Sequence, residues 1–251
     1  MKKIKSSFII LVANFFIIWP SIIYADNAED EYVYVSTKFG ISEPVIKSFS
    51  HDETNSRFRI KQSNQFGISV GYSFYPGMMI ELSAAHQPKY IFKYTLPETA
   101  VMPGVSIPET SDRTKVSANI YTLNLIYEIP QQYAGIKPYL TAGGGIAKVS
   151  IKPKLTTTDA LAGVGMGNDY PFFRATKSKN NCPVLQFGGG ITYDFTENVS
   201  IDLGAKLMVV NGIKFKYDTK NDAGVFVSQS PIKKTIGVAD FMIGVKFKIP
   251  A

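Results

Sequence analysis

Apolar and polar residues alternate with a period of two along most of the chain beyond residue 31. In the segment NQFGISVGYSF, Phe66, Ile68 and Val70 are apolar, whereas the residues between them are small or polar. This is the period of a half-buried β-strand, in which successive side chains point to opposite faces. The alternation predicts eight strands, at residues 32–41, 64–74, 78–86, 118–129, 138–149, 184–195, 198–207 and 240–249.

The lengths of these strands and of their connections favour a membrane barrel. The strands are long compared with the roughly 5–6 residues of a typical strand, and about 9–11 tilted residues are enough to cross a bilayer. Long connections (42–63, 87–117, 150–183 and 211–235) alternate with short ones (75–77, 130–137 and 196–198), as in outer-membrane barrels. We therefore predict an all-β fold, an eight-stranded antiparallel up-and-down transmembrane β-barrel formed by residues 32–251, with four long external loops and short periplasmic turns. A soluble lipocalin-like barrel is the alternative.

The first 31 residues indicate export. Lys2, Lys3 and Lys5 precede an apolar run over residues 8–24, and the small Ala25 follows it. This order is typical of a secretory signal peptide, so we expect residues 1–25 to be cleaved and 26–31 to form a short N-terminal segment. An uncleaved anchor helix is the rival interpretation. Export places the barrel in the bacterial outer membrane, with the loops at the cell surface and the termini in the periplasm.

The apolar series is predicted to face lipid and the polar series the barrel interior. Aromatic residues at the ends of the apolar series, such as Phe74, Tyr193 and Phe247, suit a girdle at the membrane interface. Glycines are frequent in the polar series, where small residues make room in a narrow lumen. Eight charged residues also belong to the polar series and predict a salt-bridged network that fills the lumen: Lys38, Glu81, Glu128, Asp194, Asp202, Lys206, Asp240 and Lys246. A proton or ion relay is the alternative, and a general diffusion pore is not expected.

Two glycine triplets, in YLTAGGGIAKV and LQFGGGITYDF, resemble phosphate-binding loops at first sight. A phosphate loop needs a strand-to-helix turn and a Lys followed by Ser or Thr. Here Lys148 is followed by Val149, and no helical periodicity follows either triplet. We expect the triplets to lie within two neighbouring strands of the wall, and a bulky lumen residue, Met79 or Met242, to lean into the space that they leave.

The residues of the middle of the chain resemble a known superfamily. IKPYLTAGGGIAKV is similar to a strand of the OmpA-like and opacity-protein-like outer-membrane barrels, and FGGGITYDFTENVSIDLGAKLMVV to their strand–tight turn–strand hairpin. The signal and the Lys- and Ile-rich composition also resemble those of the small surface barrels of rickettsia-like bacteria. Some of those barrels act as adhesins. One departure is the end KFKIPA, where the last aromatic residue, Phe247, lies four residues before the end. The resemblance implies a surface antigen or adhesin.

Little in the sequence predicts catalysis. Nucleophilic catalysis needs a base within reach of a nucleophile, and the two histidines are His51, in a long loop, and His86, near the end of a strand and close to Ser83. Cys182 is the lone cysteine, without a Cys/His cluster to suggest zinc. We expect no enzyme activity, no cofactor and no metal. A lipid-modifying barrel enzyme and a narrow channel are the alternatives.

The long loops are the expected site of binding, because rigid scaffolds carry function on loops. The formal net charge of +7, which falls by three with the leader lysines, is too small to indicate a nucleic-acid partner. Basic and aromatic residues in the loops instead suggest a host-cell or extracellular-matrix protein, a glycan or lipopolysaccharide, in addition to outer-membrane lipid around a monomer. A solvated rim facing anionic lipid headgroups is the alternative. The candidate ligand residues are Arg57, Arg59, Lys61, Arg174, Lys177, Lys179, Lys214, Lys216 and Tyr217.

Overall fold

The protein is a closed β-barrel. The computed structural model describes residues 31–45, 48–51, 56–96, 99–102, 105–107, 110–130, 135–154, 173–220, 226–228 and 230–250. The predicted signal peptide therefore lies outside the described residues. Within the described ranges, no helix is long and apolar enough to span a membrane.

Eight long strands build the barrel wall. They are β1 (Tyr32–Pro44), β4 (Ser63–Tyr75), β5 (Met78–Leu96), β8 (Thr110–Glu128), β9 (Ile136–Lys154), β11 (Ser178–Asp194), β12 (Val199–Phe215) and β15 (Ile232–Pro250). Seven short strands lie in the long connections: β2 (Ser48–His51), β3 (Ser56–Ile60), β6 (Thr99–Met102), β7 (Val105–Ile107), β10 (Phe173–Ala175), β13 (Tyr217–Lys220) and β14 (Phe226–Ser228).

Antiparallel pairing closes the wall into a ring. The strands follow the order β5-β4-β1-β15-β12-β11-β9-β8, and β8 pairs back onto β5. The first strand is joined to the last along its full length, from Tyr32 opposite Pro250 to Pro44 opposite Val238. This up-and-down topology is the predicted fold, and it leaves no free edge in the barrel wall.

The wall is taller than the alternation predicted. The predicted connection 87–117 is largely strand, because β5 and β8 remain paired from Gln87 opposite Ala118 to Leu96 opposite Thr110. Likewise β12 and β15 remain paired as far as Phe215 opposite Ile232. The barrel thus rises well beyond the predicted strands at the end that carries the long connections, which we call the long-loop end. The opposite end, with the tight turns and both barrel termini, is the short-turn end.

Of the three glycines in the described ranges that adopt a left-handed backbone, two illustrate how the regular wall is interrupted. Gly77, with φ of 74°, makes the tight turn between β4 and β5, and its carbonyl accepts a 2.7 Å hydrogen bond from the Glu128 amide. Gly212, with φ of 75°, lies at a bulge that shifts the β12 register between Val210 and Ile213. Glycine tolerates this conformation without the penalty that a Cβ brings.

The outer surface near the short-turn end is an apolar belt. Leu123 and Leu185, for example, are 54% and 71% exposed. On β8 the belt spans the outward positions from Tyr121 to Tyr127, and these seven residues, tilted near 45°, rise about 17 Å, which is about two-thirds of the ~25 Å of an outer-membrane apolar band. The large apolar side chains of the belt include Val35, Phe39, Ile41, Phe66, Ile68, Val70, Ile80, Leu82, Tyr121, Leu123, Leu125, Ile146, Leu185, Phe187, Ile201, Leu203, Leu207, Phe241, Ile243, Phe247 and Ile249. The predicted outward direction of the apolar series is confirmed.

The interior changes character between the two ends. Inside the belt the lumen is polar and charged, as predicted. Towards the long-loop end it becomes an apolar core, which the prediction of a polar lumen did not include. That core consists of Tyr90, Val116, Ala118, Ile120, Ala147, Val149, Ile151, Cys182, Val184, Met208, Val210, Ile213 and Val238.

The apolar series therefore changes face along each of several strands. On β8, Ile120 is buried inside while the next residue, Tyr121, is exposed outside. The same change falls between Ile146 and Ala147 on β9, which pair with Tyr121 and Ile120. A barrel that is apolar outside and polar inside suits lipid, and the reverse suits water. The level of this change marks the edge of the apolar belt.

Candidate functional site

The lumen inside the belt holds a network of paired charges. Lys38 of β1 and Glu81 of β5 face each other across the interior, with 3.3 Å between Nζ and Oε2. The Glu81 carboxylate also accepts hydrogen bonds from Ser69 (2.9 Å), Tyr34 (3.1 Å) and Asn124 (3.2 Å). A buried carboxylate with several donors and a cation is the arrangement that offsets the cost of removing charge from water.

A second pair lies nearer the apolar core. Lys206 Nζ is 3.8 Å from Asp240 Oδ2, and the Asp240 side chain is fully buried. Ser42 donates a hydrogen bond to Asp240, and Gln87 donates one of 2.9 Å to Ser42. The Asp240 carboxylate thus connects the charged part of the lumen to Ser42 and Gln87. The Tyr90 hydroxyl, at the edge of the apolar core, is also hydrogen-bonded to Ser42.

The remaining predicted lumen charges lie towards the short-turn end. Lys246 Nζ is 3.4 Å from Glu128 Oε1 and lies 4.8 Å from the centre of the Tyr34 ring. Asp202 accepts a 3.1 Å hydrogen bond from the Tyr139 hydroxyl.

Asp194 has two cationic partners that the sequence analysis did not include. Lys248 lies 2.8 Å from one of its oxygens and Lys137 lies 3.4 Å from the other. Both lysines occupy positions whose side chains point into the lumen, and Lys137 is accordingly buried. The alternation along their strands was the available signal in the sequence.

Tyrosines, and not methionines, fill the space above the lumen glycines. A Cβ on Gly190 or Gly204 would lie 2.7 or 2.6 Å from the Tyr139 hydroxyl oxygen. A Cβ on Gly71 would overlap the ring of Tyr34. The expectation of Met79 or Met242 in this place is wrong. Tyr139 occupies this space because its hydroxyl donates a hydrogen bond to Asp202. A methionine thioether has no hydrogen to donate.

The two triplets do lie in adjacent strands. Gly143 is directly opposite Gln186, and Gly188 is opposite Thr141. The outer members differ from the central one: Gly143 and Gly145 face inward, where a Cβ would collide with Asn124 or with the Tyr121 carbonyl, whereas Gly144 faces outward towards Leu185 at an ordinary 3.5 Å. The triplets are therefore wall segments and not phosphate loops.

The histidines do not assemble a catalytic constellation in the described part of the chain. His86 is exposed on the outer face, and its Nδ1 is 2.6 Å from Asn119 Oδ1. Ser83 points into the lumen, where it bonds to Thr122 and Asn124, so the two residues lie on opposite faces of β5. His51 occupies β2, opposite Ser56. No group of three or more His, Cys, Asp or Glu side chains in the described ranges is arranged to hold a metal ion.

The candidate ligand residues of the third and fourth long connections come together. Backbone pairing joins Arg174 to Asp218 and Ala175 to Tyr217, and the Thr176 amide donates a 3.0 Å hydrogen bond to the Lys216 carbonyl. The side chains of Lys177, Lys179, Lys214 and Lys216 are exposed. We call this joined region the basic platform: Arg174, Lys177, Lys179, Lys214, Lys216 and Tyr217.

The three candidates of the first long connection lie elsewhere. Arg57 and Arg59 belong to β3 and pair with Thr95 and Lys93 of β5. The Lys61 amide donates a 3.0 Å hydrogen bond to the Ile91 carbonyl, and its side chain is exposed. These residues form a second group beside β5, separated from the basic platform by β8 and β9.

The chain was compared with known proteins. No protein-family model matches it. It is 35% identical over 182 residues to the "Uncharacterized protein RP788" of Rickettsia prowazekii (strain Madrid E), an alignment that covers 72% of this chain and 97% of that protein. Among solved structures, it is similar to Neisserial surface protein A (14% identity, TM-score 0.47, 89% of this chain and 100% of that one). It is also similar to the outer membrane protein OprG from Pseudomonas aeruginosa (15% identity, TM-score 0.47, 90% of this chain and 98% of that one).

Proposed function

The chain belongs to the family of the Rickettsia prowazekii protein RP788, and we propose that it is a bacterial outer-membrane barrel with its long-loop end at the cell surface and its termini in the periplasm. The observation that carries this proposal is the apolar belt around a lumen of paired charges. A water-soluble barrel that exposed this continuous belt would aggregate, whereas lipid covers it at no such cost. The superfamily that the proposal implies is that of the OmpA-like and opacity-protein-like barrels.

We further propose that the protein is adhesive and binds an anionic ligand through its long-loop end. The basic platform supports this, because two long connections are held together there and present Lys177 and Lys216 to the exterior. Lys214 lies directly opposite Lys233, and both are exposed. Like charges directly opposite each other destabilise a sheet, so an anion that binds between the two lysines would stabilise it. The anionic ligand would be a host-cell or extracellular-matrix protein or a glycan.

Two measurements test these proposals separately. Refolded protein in detergent should migrate differently on gels before and after boiling, and it should insert into lipid vesicles, because a hydrogen-bonded barrel survives detergent until it is heated. A single, unshifted band and no insertion would contradict the membrane barrel.

Adhesion is tested in bacteria that display the protein. The double variant Lys177→Gln/Lys216→Gln should reduce attachment to host cells several-fold, while Lys89→Gln/Lys115→Gln, with the same charge change elsewhere, should retain it. Shortening each long connection in turn shows which of them is needed for attachment. Equal attachment by every variant would exclude loop-mediated adhesion.

A further inference from the structure

A patch of hydrogen-bond donors covers the outer face of β8, β9 and β11 immediately beyond the apolar belt. Ser117 of β8 lies opposite Ser150 of β9, which lies opposite Lys179 of β11. In the next row Lys115 lies opposite Lys152. Lys148 completes the set on the belt side. We call the six residues the donor patch: Lys115, Ser117, Lys148, Ser150, Lys152 and Lys179.

The donor patch carries four positive charges and no negative one. Its four lysines are exposed, and no carboxylate in the described ranges lies within ion-pair distance of them. Lys115 and Lys152 are direct cross-strand neighbours. The Cα atoms of such a pair lie ~4.5–5.5 Å apart. The repulsion between the two lysines destabilises the sheet, and a bound anion relieves it. Lys148 also lies 5.5 Å from the centre of the Tyr121 ring, at the edge of the belt.

The height of the patch matches the headgroup region of a bilayer. Lys148 is the first outward residue of β9 beyond Ile146, a member of the belt. Lys152 lies four residues further, which is about 9 Å along the membrane normal for a strand tilted near 45°. The polar zone on each side of a bilayer core is roughly 5–8 Å thick. Lys148 and Ser150 therefore lie in the headgroup region and Lys152 lies at its outer limit. The basic platform, which shares Lys179 with the donor patch, extends beyond them.

A shallow groove lies in the belt on the same strand, and one outward residue, Ile146, separates it from Lys148. Gly144 lies between Leu123 of β8 and Leu185 of β11, and Ala142 lies between Leu125 and Phe187 in the next row. The flanking strands lie about 10 Å apart across β9, and their large side chains stand above the two small residues. Tight internal packing does not require glycine at position 144, because a Cβ there would meet its nearest atoms at 3.5 Å.

From the donor patch and the groove together we propose a binding site for a phosphorylated lipid of the outer leaflet. The phosphate is bound by the lysines and by the Ser117 and Ser150 hydroxyls, and an acyl chain lies in the groove over Gly144 and Ala142. A strong anion recognised by several cationic donors at the edge of an apolar groove is the chemistry of a phospholipid or phosphorylated glycolipid headgroup. The proposal rests on the membrane location proposed above.

The test counts bound lipid on the purified barrel. Diphosphoryl lipid A is titrated into the barrel in detergent micelles, and bound molecules are measured by native mass spectrometry. Lys148→Gln/Lys152→Gln should weaken binding at least tenfold, and Gly144→Leu, which fills the groove, should weaken it several-fold. The matched controls Lys89→Gln/Lys233→Gln and Ala205→Leu, which make the same changes elsewhere on the outer face, should bind within twofold of the wild type.

Further probes identify the chemistry of the ligand. Dephosphorylated lipid A should bind weakly, and equally to the wild type and to the double lysine variant, and inorganic phosphate alone should not compete at millimolar concentration. The proposal is overturned if the double lysine variant binds diphosphoryl lipid A as the wild type does. It is also overturned if that variant loses only the binding of a heparin fragment, which would assign the patch to a sulfated glycan. Vesicle insertion and heat-modifiable migration, measured on the same samples, report independently whether the membrane barrel itself is correct.

Discussion

Lys38 and Glu81 form an ion pair across the inside of the barrel, with 3.3 Å between Nζ and Oε2, although β1 and β5 are not neighbours in the wall. β4 lies between them and contributes Ser69, whose hydroxyl donates to the same carboxylate oxygen at 2.9 Å. One carboxylate thus connects three consecutive strands through the lumen. The wall is held together by its ladder of backbone hydrogen bonds and also by this internal link.

Removing the Glu81 charge should destabilise the barrel strongly. Glu81→Gln leaves the Lys38 ammonium in the lumen without its carboxylate, and breaking a buried pair costs about 3 kcal/mol or more. The measurement is the urea midpoint of unfolding in detergent, followed by the gel shift. Glu197→Gln, in an exposed turn, is the control and should leave the midpoint unchanged. Replacing both partners, by Lys38→Met with Glu81→Leu, should restore much of the loss, and failure of this rescue would mean that Glu81 acts through its other donors.

The two faces of the glycine-rich strands should respond differently to alanine. Gly204→Ala places a Cβ 2.6 Å from the Tyr139 hydroxyl oxygen and displaces that group from Asp202, for which we expect a loss of about 1–3 kcal/mol. Gly144→Ala faces outward and should change stability by less than about 0.5 kcal/mol. Thermal midpoints from the heat-dependent gel shift decide the comparison. Equal losses would contradict the assignment of the two faces.

The apolar core should protect Cys182 from reagents. Its side chain is 1% exposed, within the core at the long-loop end. A maleimide added to the folded barrel should therefore label it at least a hundredfold more slowly than after boiling, whereas a cysteine at the exposed position of Lys115 should react at once. Rapid labelling of Cys182 in the folded protein would show that the core is open.

Labels on β8 should locate the edge of the membrane. In a Cys182→Ala background, a fluorophore on Leu123→Cys should be quenched by a doxyl group on the lipid chains and not by aqueous iodide. A fluorophore on Lys115→Cys should show the opposite. The reason is the change of the apolar series from inside to outside between Ile120 and Tyr121. Lipid quenching at both positions would move the edge beyond the donor patch.

The barrel should conduct ions poorly. The apolar core includes Met208, which is 1% exposed, and Val184, which is 2% exposed, and side chains packed across a narrow lumen leave no continuous path for water. Recordings in planar bilayers should show no stable single-channel steps at high protein concentration. Regular steps that disappear on boiling the sample would favour the narrow channel that the sequence left open.

A period of two was enough to predict the strands, their number and the outward face of each within the belt. The reason is local: side-chain direction alternates residue by residue, so Phe66, Ile68 and Val70 must share a face wherever the strand lies. The same parity placed every one of the eight lumen charges inside. The alternation does not indicate which residues contact each other across the lumen. The pairing of Lys38 with Glu81 and of Asp194 with Lys137 and Lys248 could therefore not be predicted.

The edge of the apolar belt was the main feature that the sequence did not reveal. On β9 the residues Ile146 and Ala147 look like one apolar run, and only the closed ring shows that the first faces outward and the second belongs to the internal core. The long connections were misjudged for the same reason, because their outward residues are polar and resemble loops. A strand outside the membrane must be apolar inside, where water is absent, and polar outside, where water is present.

The sequence by itself determined the topology and the two faces of the wall within the apolar belt, since both follow from local alternation and from the lengths of the connections. Only the tertiary structure decided the height of the barrel, the pairing of its charges and the position of Tyr139 over Gly190 and Gly204. It also decided that Gly144 and Ala142 lie beneath the donor patch between two rows of larger side chains. These features depend on the register in which eight strands close, and that register is set by packing between residues far apart in the chain.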